Sequence, residues 1–321
     1  MASTLLAPLA MAYGAIARSR MLRPGDSAGI PVICIGNPTV GGAGKTPTAL
    51  AVARVLRDAG RHPFFLSRGY GGEIPGPVRV DSRIHRARQV GDEALLLARV
   101  APTIVAKERV AGAKAARLSG ADVVVMDDGF QNPSLTKNLS VLVIDGRRGI
   151  GNGFVFPAGP LRAPLADQLG RAQAMLVIGE ISGAAATVTA AKARRLPVFL
   201  GRLVPEAAAV AALGSLKVLA FAGIGDPDKF FATLRAANVD VRARQAFPDH
   251  HRYRPADAAA LLARAEREGL TLVTTAKDMA RLAGEEGMEE LIKASRSLPV
   301  TLAVEEERAF ADLLLGVLTP N

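Results

Sequence analysis

Three groups of residues in this 321-residue chain have types and spacings that could do chemistry. The first is the run Thr39, Val40, Gly41, Gly42, Ala43, Gly44, Lys45, Thr46. A phosphate-binding loop asks for Gly, four residues, then Gly-Lys-Ser/Thr, and only the first glycine is replaced here, by Thr39. Gly41, Gly42 and Gly44 let the backbone wrap an anion, Lys45 offers a point charge to the terminal phosphates, and the Thr46 hydroxyl can ligate Mg²⁺. The second group is Asp127 and Asp128 at the end of "DVVVMDD", a carboxylate pair suited to the metal side of such a site. Gln131, just beyond, could orient a water or a phosphate. The third group is scattered. Asp92 and Glu93 open "GDEALLLA", Asp249, His250 and His251 sit in "FPDHHRYRP", and Arg68 and Tyr70 sit in "LSRGYGG". Phosphoryl transfer to an alcohol needs a base for the hydroxyl, and an anionic acceptor needs cations. Each of these segments also has a plainer reading: a glycine turn, an acidic helix start favoured by the dipole, or a solvated turn.

Placing these groups together requires a scaffold that brings many strand ends to one edge. Near-continuous apolar runs such as "ADVVVM" and "SVLVID" alternate with helical stretches, which implies a mostly parallel sheet covered by helices on both faces. Strands are predicted at 31–36, 63–67, 102–106, 121–127, 139–144 and 173–178, with helices at 45–59, 91–100, 108–119 and 183–194. The Gly- and Pro-rich stretch "GRRGIGNGFVFPAGPLRAPL" breaks the rhythm and reads as a functional loop over the site. The pattern restarts at "SLKVLAFAGIGDPDKFF", with later strands at 239–246, 271–275 and 299–304. The expected organisation is an α/β P-loop domain over 1–200, a linker over 201–215, and a smaller α/β domain over 216–321 that closes over the cleft.

Composition narrows the function classes. The net charge of +10 suits phosphorylated or anionic partners. Trp is absent and aromatics make up 4% of residues, so the stacking platforms of single-strand nucleic-acid binders are weakly supported. The lone Cys34 excludes an intrachain disulfide and fits a reducing compartment. "STLLAPLAMAYGAIA" is too short and too broken by Pro8 and Gly14 for a spanning helix. Leu5, Leu9, Tyr13 and Ile16 recur at helical spacing ahead of Arg18, Arg20 and Arg23. A helix lying in a membrane surface and a helix capping the core are both open on these residues. A GTPase would need a guanine-reading Asn/Thr-Lys-x-Asp. In "TTAKDM" Asp278 follows Lys277 directly, so the loop reads as an ATP site.

Taken together, "GNPTVGGAGKT", "LSRGYGG", "VGDEALLLA", "DDGFQ", "FPAGPLR", "FPDHH" and "TTAKD" resemble, in this order, the family of tetraacyldisaccharide 4'-kinases, which make lipid A in Gram-negative bacteria. The resemblance runs from residue 1 to about residue 305. It implies a two-domain P-loop protein that uses ATP and Mg²⁺ to phosphorylate the 4'-hydroxyl of a tetraacylated glucosamine disaccharide 1-phosphate. Lys45 and Thr46 would then hold phosphate and metal, Asp127 would be the main metal-side carboxylate, and Asp128 would lie close by. Asp92, supported by His250, would be the base, Arg162 of "GPLR" would reach the transferring phosphate, and Arg68, Tyr70 and Arg109 would face the acceptor. The resemblance also favours the interfacial helix, at the cytoplasmic face of the inner membrane, with no nucleic acid and no obligate protein partner. The alternatives are a metallochaperone-like P-loop GTPase, separable by nucleotide preference, and a basic nucleic-acid binder, separable by a steep salt dependence.

Overall fold

The computed structural model describes residues 5–318, so both outermost ends of the expected domains lie outside the described residues. Its strands are β1 (Val32–Gly36), β2 (Pro63–Ser67), β3 (Val78–Arg79), β4 (Thr103–Val105), β5 (Val123–Asp127), β6 (Leu139–Asp145), β7 (Ala174–Ile178), β8 (Val198–Pro205), β9 (Lys217–Ala222), β10 (Asp240–Ala246), β11 (Thr271–Thr275), β12 (Ser295–Leu298) and β13 (Val300–Val304). A nine-stranded sheet has the order β13-β8-β7-β6-β1-β5-β2-β4-β3. Its pairings are parallel except at the two edges, where β3 and β13 run antiparallel to their neighbours. A second, four-stranded sheet, β10-β9-β11-β12, is parallel throughout.

Side-chain alternation explains why both sheets are covered on two faces. Ile33 and Ile35 of β1 face the layer made by helices Lys45–Asp58 and Glu307–Gly316, where Val52, Leu56, Phe310 and Leu314 are buried. Val32 and Cys34 face the opposite layer with Val110, Ala113 and Met21. Burial pushes the Cys34 thiol up to about 12, which leaves it a small apolar side chain rather than a nucleophile. In β9 the same alternation sends Val218, Ala220 and Ala222 one way and Leu219 and Phe221 the other.

The chain crosses between the two sheets twice. It leaves the large sheet through β8 and helix Ala207–Leu213, builds the small sheet, and then returns, because β13 pairs with β8 from Val300↔Pro205 to Val304↔Gly201. The strand expected at 299–304 and the final helix are therefore part of the large unit. The division at 216–321 misses this return, since a short edge strand reads the same in either sheet. Three further strands escape the sequence pattern: β3 and β12, because "VR" and "SRSL" are short and largely polar, and β8, an integral strand of the large sheet whose end falls in the expected 201–215 linker.

The units are also tied by charge. Lys229 donates to Asp145 Oδ2 at 2.9 Å, and Arg147 and Arg148 each reach Asp226 at 3.0 Å. Asp145 ends β6 and also accepts the backbone N–H groups of Arg147 and Arg148. Burial raises its carboxyl, but these donors and Lys229 outweigh that and hold it below the usual carboxylate range. A lowered folded-state value stabilises the protein above the unfolded carboxylate pKa, and that contribution is lost as pH falls. Asp145→Asn should cost about 1–3 kcal/mol at neutral pH. The gap to wild type in urea unfolding should narrow as pH falls through the lowered carboxyl's titration, below the usual carboxylate range. A gap that stays constant with pH would contradict the ionic role.

Candidate functional site

The site forms where β1 and β5 end side by side, with Ile35 opposite Asp127. After β1 the chain turns through residues 37–44 and enters the helix Lys45–Asp58. Gly44 closes the turn at φ 90°, a left-handed conformation that favours glycine, and a Cβ there would meet Ile178 Cδ1 at 2.6 Å. Gly41 and Gly42 face open space, leaving a cradle of backbone at the helix N-terminus. The loop is braced from behind. Val40 N–H donates to Pro160 O, Arg162 N–H to Pro38 O, and Arg162 Nε to Thr39 O at 3.0 Å, so "FPAGPLR" is stitched along it.

Lys45 is buried, and its Nζ lies 3.6 Å from Asp128 Oδ2. Thr46 Oγ1 donates to Asp127 Oδ2 at 3.3 Å. The two strand-end aspartates differ sharply. Asp128, at φ 53°, is gripped by Arg162 through Nη1–Oδ1 at 2.7 Å and Nη2–Oδ2 at 3.1 Å. Burial raises Asp128, but Lys45 and Arg162 outweigh it and lower its pKa. Asp127 has no such partner: Oδ1 is buried without a hydrogen bond. Burial and the charge of Glu93 raise Asp127 to about 7 despite Lys45. An orphaned carboxylate oxygen beside a threonine hydroxyl is a hard-oxygen donor set that fits Mg²⁺. Among the described residues no group of three or more His, Cys, Asp and Glu could hold a metal.

Across the cleft, Asp92 starts the helix Asp92–Leu97. Gly91 before it has φ 85°, and a Cβ there would lie 2.7 Å from Tyr70 O, so "RGYGG" and "VGDE" pack backbone to backbone. Asp92 is buried and meets His250 Nδ1 at 3.4 Å, while Tyr70 lies against the His250 ring with centroids 5.1 Å apart. Burial pushes the Asp92 carboxyl up, but the His250 hydrogen bond and the charges of Lys277 and Arg281 hold it well below the usual range. The adjacent histidine has another job: His251 pairs with Asp257 at 3.0 Å and stacks on Phe247. Arg109 is buried at the start of its helix and donates from Nη1 to Ala106 O, whereas its Nε has no partner. Burial and the nearby charge of Arg68 lower its pKa. Arg68 and Tyr70 themselves are exposed at the rim.

Two residues are placed differently from the sequence expectation. Gln131 Nε2 donates to Asn37 O at 2.8 Å and to Gln168 Oε1 at 3.0 Å, so it supports the loop rather than offering a free donor to phosphate. Arg162 braces Asp128 and the loop backbone in place of pointing an unengaged guanidinium at the cradle. Sequence reasoning missed Gln168, fully buried and donating to Pro38 O and Ala163 O, because a glutamine in a short helix carries no signal. It also assigned no role to Lys277 and Arg281, although their i,i+4 spacing behind "TTAKD" puts both on one helix face.

Comparison with known proteins agrees with this geometry. A family model described as Tetraacyldisaccharide-1-P 4'-kinase matches residues 2–319. A relative from Methylobacterium sp. (strain 4-46), named tetraacyldisaccharide 4'-kinase, is 57% identical over 305 residues, which cover 95% of this chain and 90% of that protein. A relative of the same name from Rhodopseudomonas palustris (strain BisA53) is 54% identical over 316 residues, covering 98% and 92%. The crystal structure of the "apo" form of LpxK from Aquifex aeolicus in complex with ATP shares the fold, with a TM-score of 0.75 and 24% identity, covering 99% of this chain and 100% of that one. This chain belongs to the tetraacyldisaccharide 4'-kinase family.

Lys45, buried where the loop enters the helix, brings a cation to the cradle. Lys45→Ala should lower turnover by at least ~100-fold, the scale of removing one preorganised electrostatic group. Steady-state assay of the purified variant reads it, and near-normal turnover would rule out a phosphate-binding role for this loop.

Proposed function

We propose that this chain transfers the γ-phosphoryl group of ATP to the 4'-hydroxyl of a tetraacylated glucosamine disaccharide 1-phosphate, giving the 1,4'-bisphosphorylated product. The observation that carries the reading is a single one. The sheet edge holding the phosphate cradle, Thr46 and Asp127 is joined by a buried carboxylate, Asp92, paired with the half-buried His250. A hydrolase needs only the first part; a transferase to an alcohol needs both.

Lys45 and the backbone N–H groups of 41–45 would hold the β- and γ-phosphates. Thr46 and Asp127 would hold Mg²⁺, and Asp128 would keep Lys45 and Arg162 in place beside it. When bound, the metal would neutralise charge developing on the phosphate oxygens. The acceptor hydroxyl gives its proton to Asp92 as its oxygen bonds to the γ-phosphorus; the bond to the β–γ bridging oxygen breaks, and ADP leaves. His250 orients Asp92 and shares the proton's charge. Arg109, with its unpartnered Nε, and Arg68 and Tyr70 at the rim supply the anionic acceptor's contacts.

The acceptor's acyl chains require the enzyme to work at a lipid surface, and we place it at the cytoplasmic face of the inner membrane. The helix Ala7–Met21 supports this. Its small residues Ala10 and Gly14 face the protein, while Leu5, Leu9, Met11 and Ile16 are exposed together with Phe154 and Phe156. Tyr13 meets Phe156 with ring centroids 5.7 Å apart, so helix and loop touch through exposed rings. Among the described residues no helix is long and apolar enough to cross a membrane. Exposed apolar side chains followed by Arg18, Arg20 and Arg23 suit a surface-bound segment.

Labelled ATP incubated with the disaccharide 1-phosphate in mixed micelles tests the reaction. Label should appear in the lipid, and phosphate release without lipid labelling would favour a hydrolase instead. In that assay Asp92→Ala and His250→Ala should each cost ~100-fold or more. The double variant should be scarcely worse than Asp92→Ala alone, since the two act as a unit; multiplicative losses would separate them.

The helix is tested by Leu9→Asp with Ile16→Asp. Sedimentation with anionic vesicles should fall by roughly tenfold or more, and ATP affinity should be unchanged. Full sedimentation would refute the interfacial role, and a lost ATP site would assign the helix to the core.

A further inference from the structure

Among the described residues the segment "TTAKDMAR" makes no hydrogen bond to the phosphate cradle, yet it meets the base directly. Thr275 caps the helix Ala276–Leu282, accepting the Asp278 N–H at 3.0 Å. Asp278, fully buried, is fixed by Thr275 Oγ1 at 2.7 Å, Tyr253 Oη at 3.0 Å and Gly223 N–H at 3.1 Å. It in turn holds Arg281 Nη1 at 2.9 Å, and Gly223 O accepts the same nitrogen. Arg281 then reaches across to the large unit: Nε donates to Asp92 Oδ2 at 3.0 Å, and Nη2 donates to the same oxygen. One turn earlier, Lys277 donates to Glu93 at 2.9 Å. Two cations at i,i+4 on one helix thus meet two consecutive carboxylates on another.

We propose that Arg281 is a positioning residue for the phosphoryl-transfer base. It grips Oδ2 of Asp92 and turns the carboxylate so that Oδ1 receives the acceptor's proton. Among the described residues Oδ1 accepts the Glu93 N–H alone, at 2.8 Å, which leaves a second lone pair for the hydroxyl. Arg281 suits this task better than a lysine, because its planar fork fixes direction as well as charge. The inference rests on the kinase reading of the Asp92 site. The charged and titratable groups that face Asp92 are Arg281, Lys277 and His250 from the second unit and Glu93 from its own helix.

The test compares wild type, Arg281→Gln and Arg281→Lys in the micelle assay. Arg281→Gln should lower kcat by ~30-fold or more, with KM for ATP within about threefold, because Arg281 touches no nucleotide-binding residue. The acid limb of its kcat/KM profile should move to higher pH, since a cation is lost beside a carboxylate that must be ionised. Arg281→Lys should restore the limb towards its wild-type position. A wild-type kcat, a loss carried by KM for ATP, or an unmoved acid limb in Arg281→Gln would overturn the proposal. If Arg281→Gln does not fold, Arg281→Lys decides alone: a kcat about tenfold lower at unchanged KM for ATP supports the proposal, because the fork is lost, and any other result overturns it. Should wild type fail to label the lipid, the kinase reading fails separately. The pairing is then read from an unfolding double-mutant cycle of Arg281→Lys with Asp92→Asn, where additive effects overturn it and coupled effects support it.

Discussion

The structure depends first on one pairing, the parallel register of β1 with β5. Parallel neighbours end at the same edge, so the turn after β1 and the carboxylates ending β5 have no choice but to meet. That adjacency lets the Thr46 hydroxyl, at the start of the following helix, lie against Asp127. The apolar content of both strands follows from the same fact. A central parallel pair is covered on both faces, so "VICI" and "VVVM" are buried along their whole length. Antiparallel pairing would have sent the two chemistries to opposite ends of the sheet.

A second constraint acts on the charges gathered at that edge. Asp92, Asp278 and Arg281 are all nearly or fully removed from water, with side-chain exposures of 3%, 0% and 7%. A buried charge is tolerated only when paired and hydrogen-bonded. Here each supplies the other's compensation, and the chain of contacts runs from the small sheet through Asp278 and Arg281 to Asp92. Asp127 departs from this pattern: Oδ1 is buried and unpaired, which is costly in a finished protein and sensible in a site that takes up a cation.

What the sequence reveals of this arrangement is what is local. The phosphate loop is legible because strand, glycines, Lys45, Thr46 and helix are contiguous, and each has a separate physical reason to be there. Most strands are legible because burial on both faces makes them continuously apolar. Contacts between distant segments are another matter. Arg281 and Asp92 are separated by 189 positions, and nothing in either segment names the other. The return of β13 to the large sheet is hidden for a related reason: a strand's pattern records that it pairs, not with which sheet. Gln131 illustrates the converse error. A polar residue near a catalytic motif suggested a ligand contact, and its amide in fact satisfies the loop backbone that holds the motif.

The two sets of ionic contacts between the units differ in chemistry. In the first, Asp145 meets Lys229, and Asp226 meets Arg147 and Arg148, whose side chains are 63% and 50% exposed. The exposed arginines leave the Asp226 pairs weak and screened by salt, whereas Asp145 is buried and held by several donors. In the second, the contact is the buried Asp92–Arg281 pair, where removing either partner strands a charge. The junction is thus electrostatically shallow at Asp226 and deep at Asp92. A transferase that must align one hydroxyl needs its base held by the deeper kind of contact.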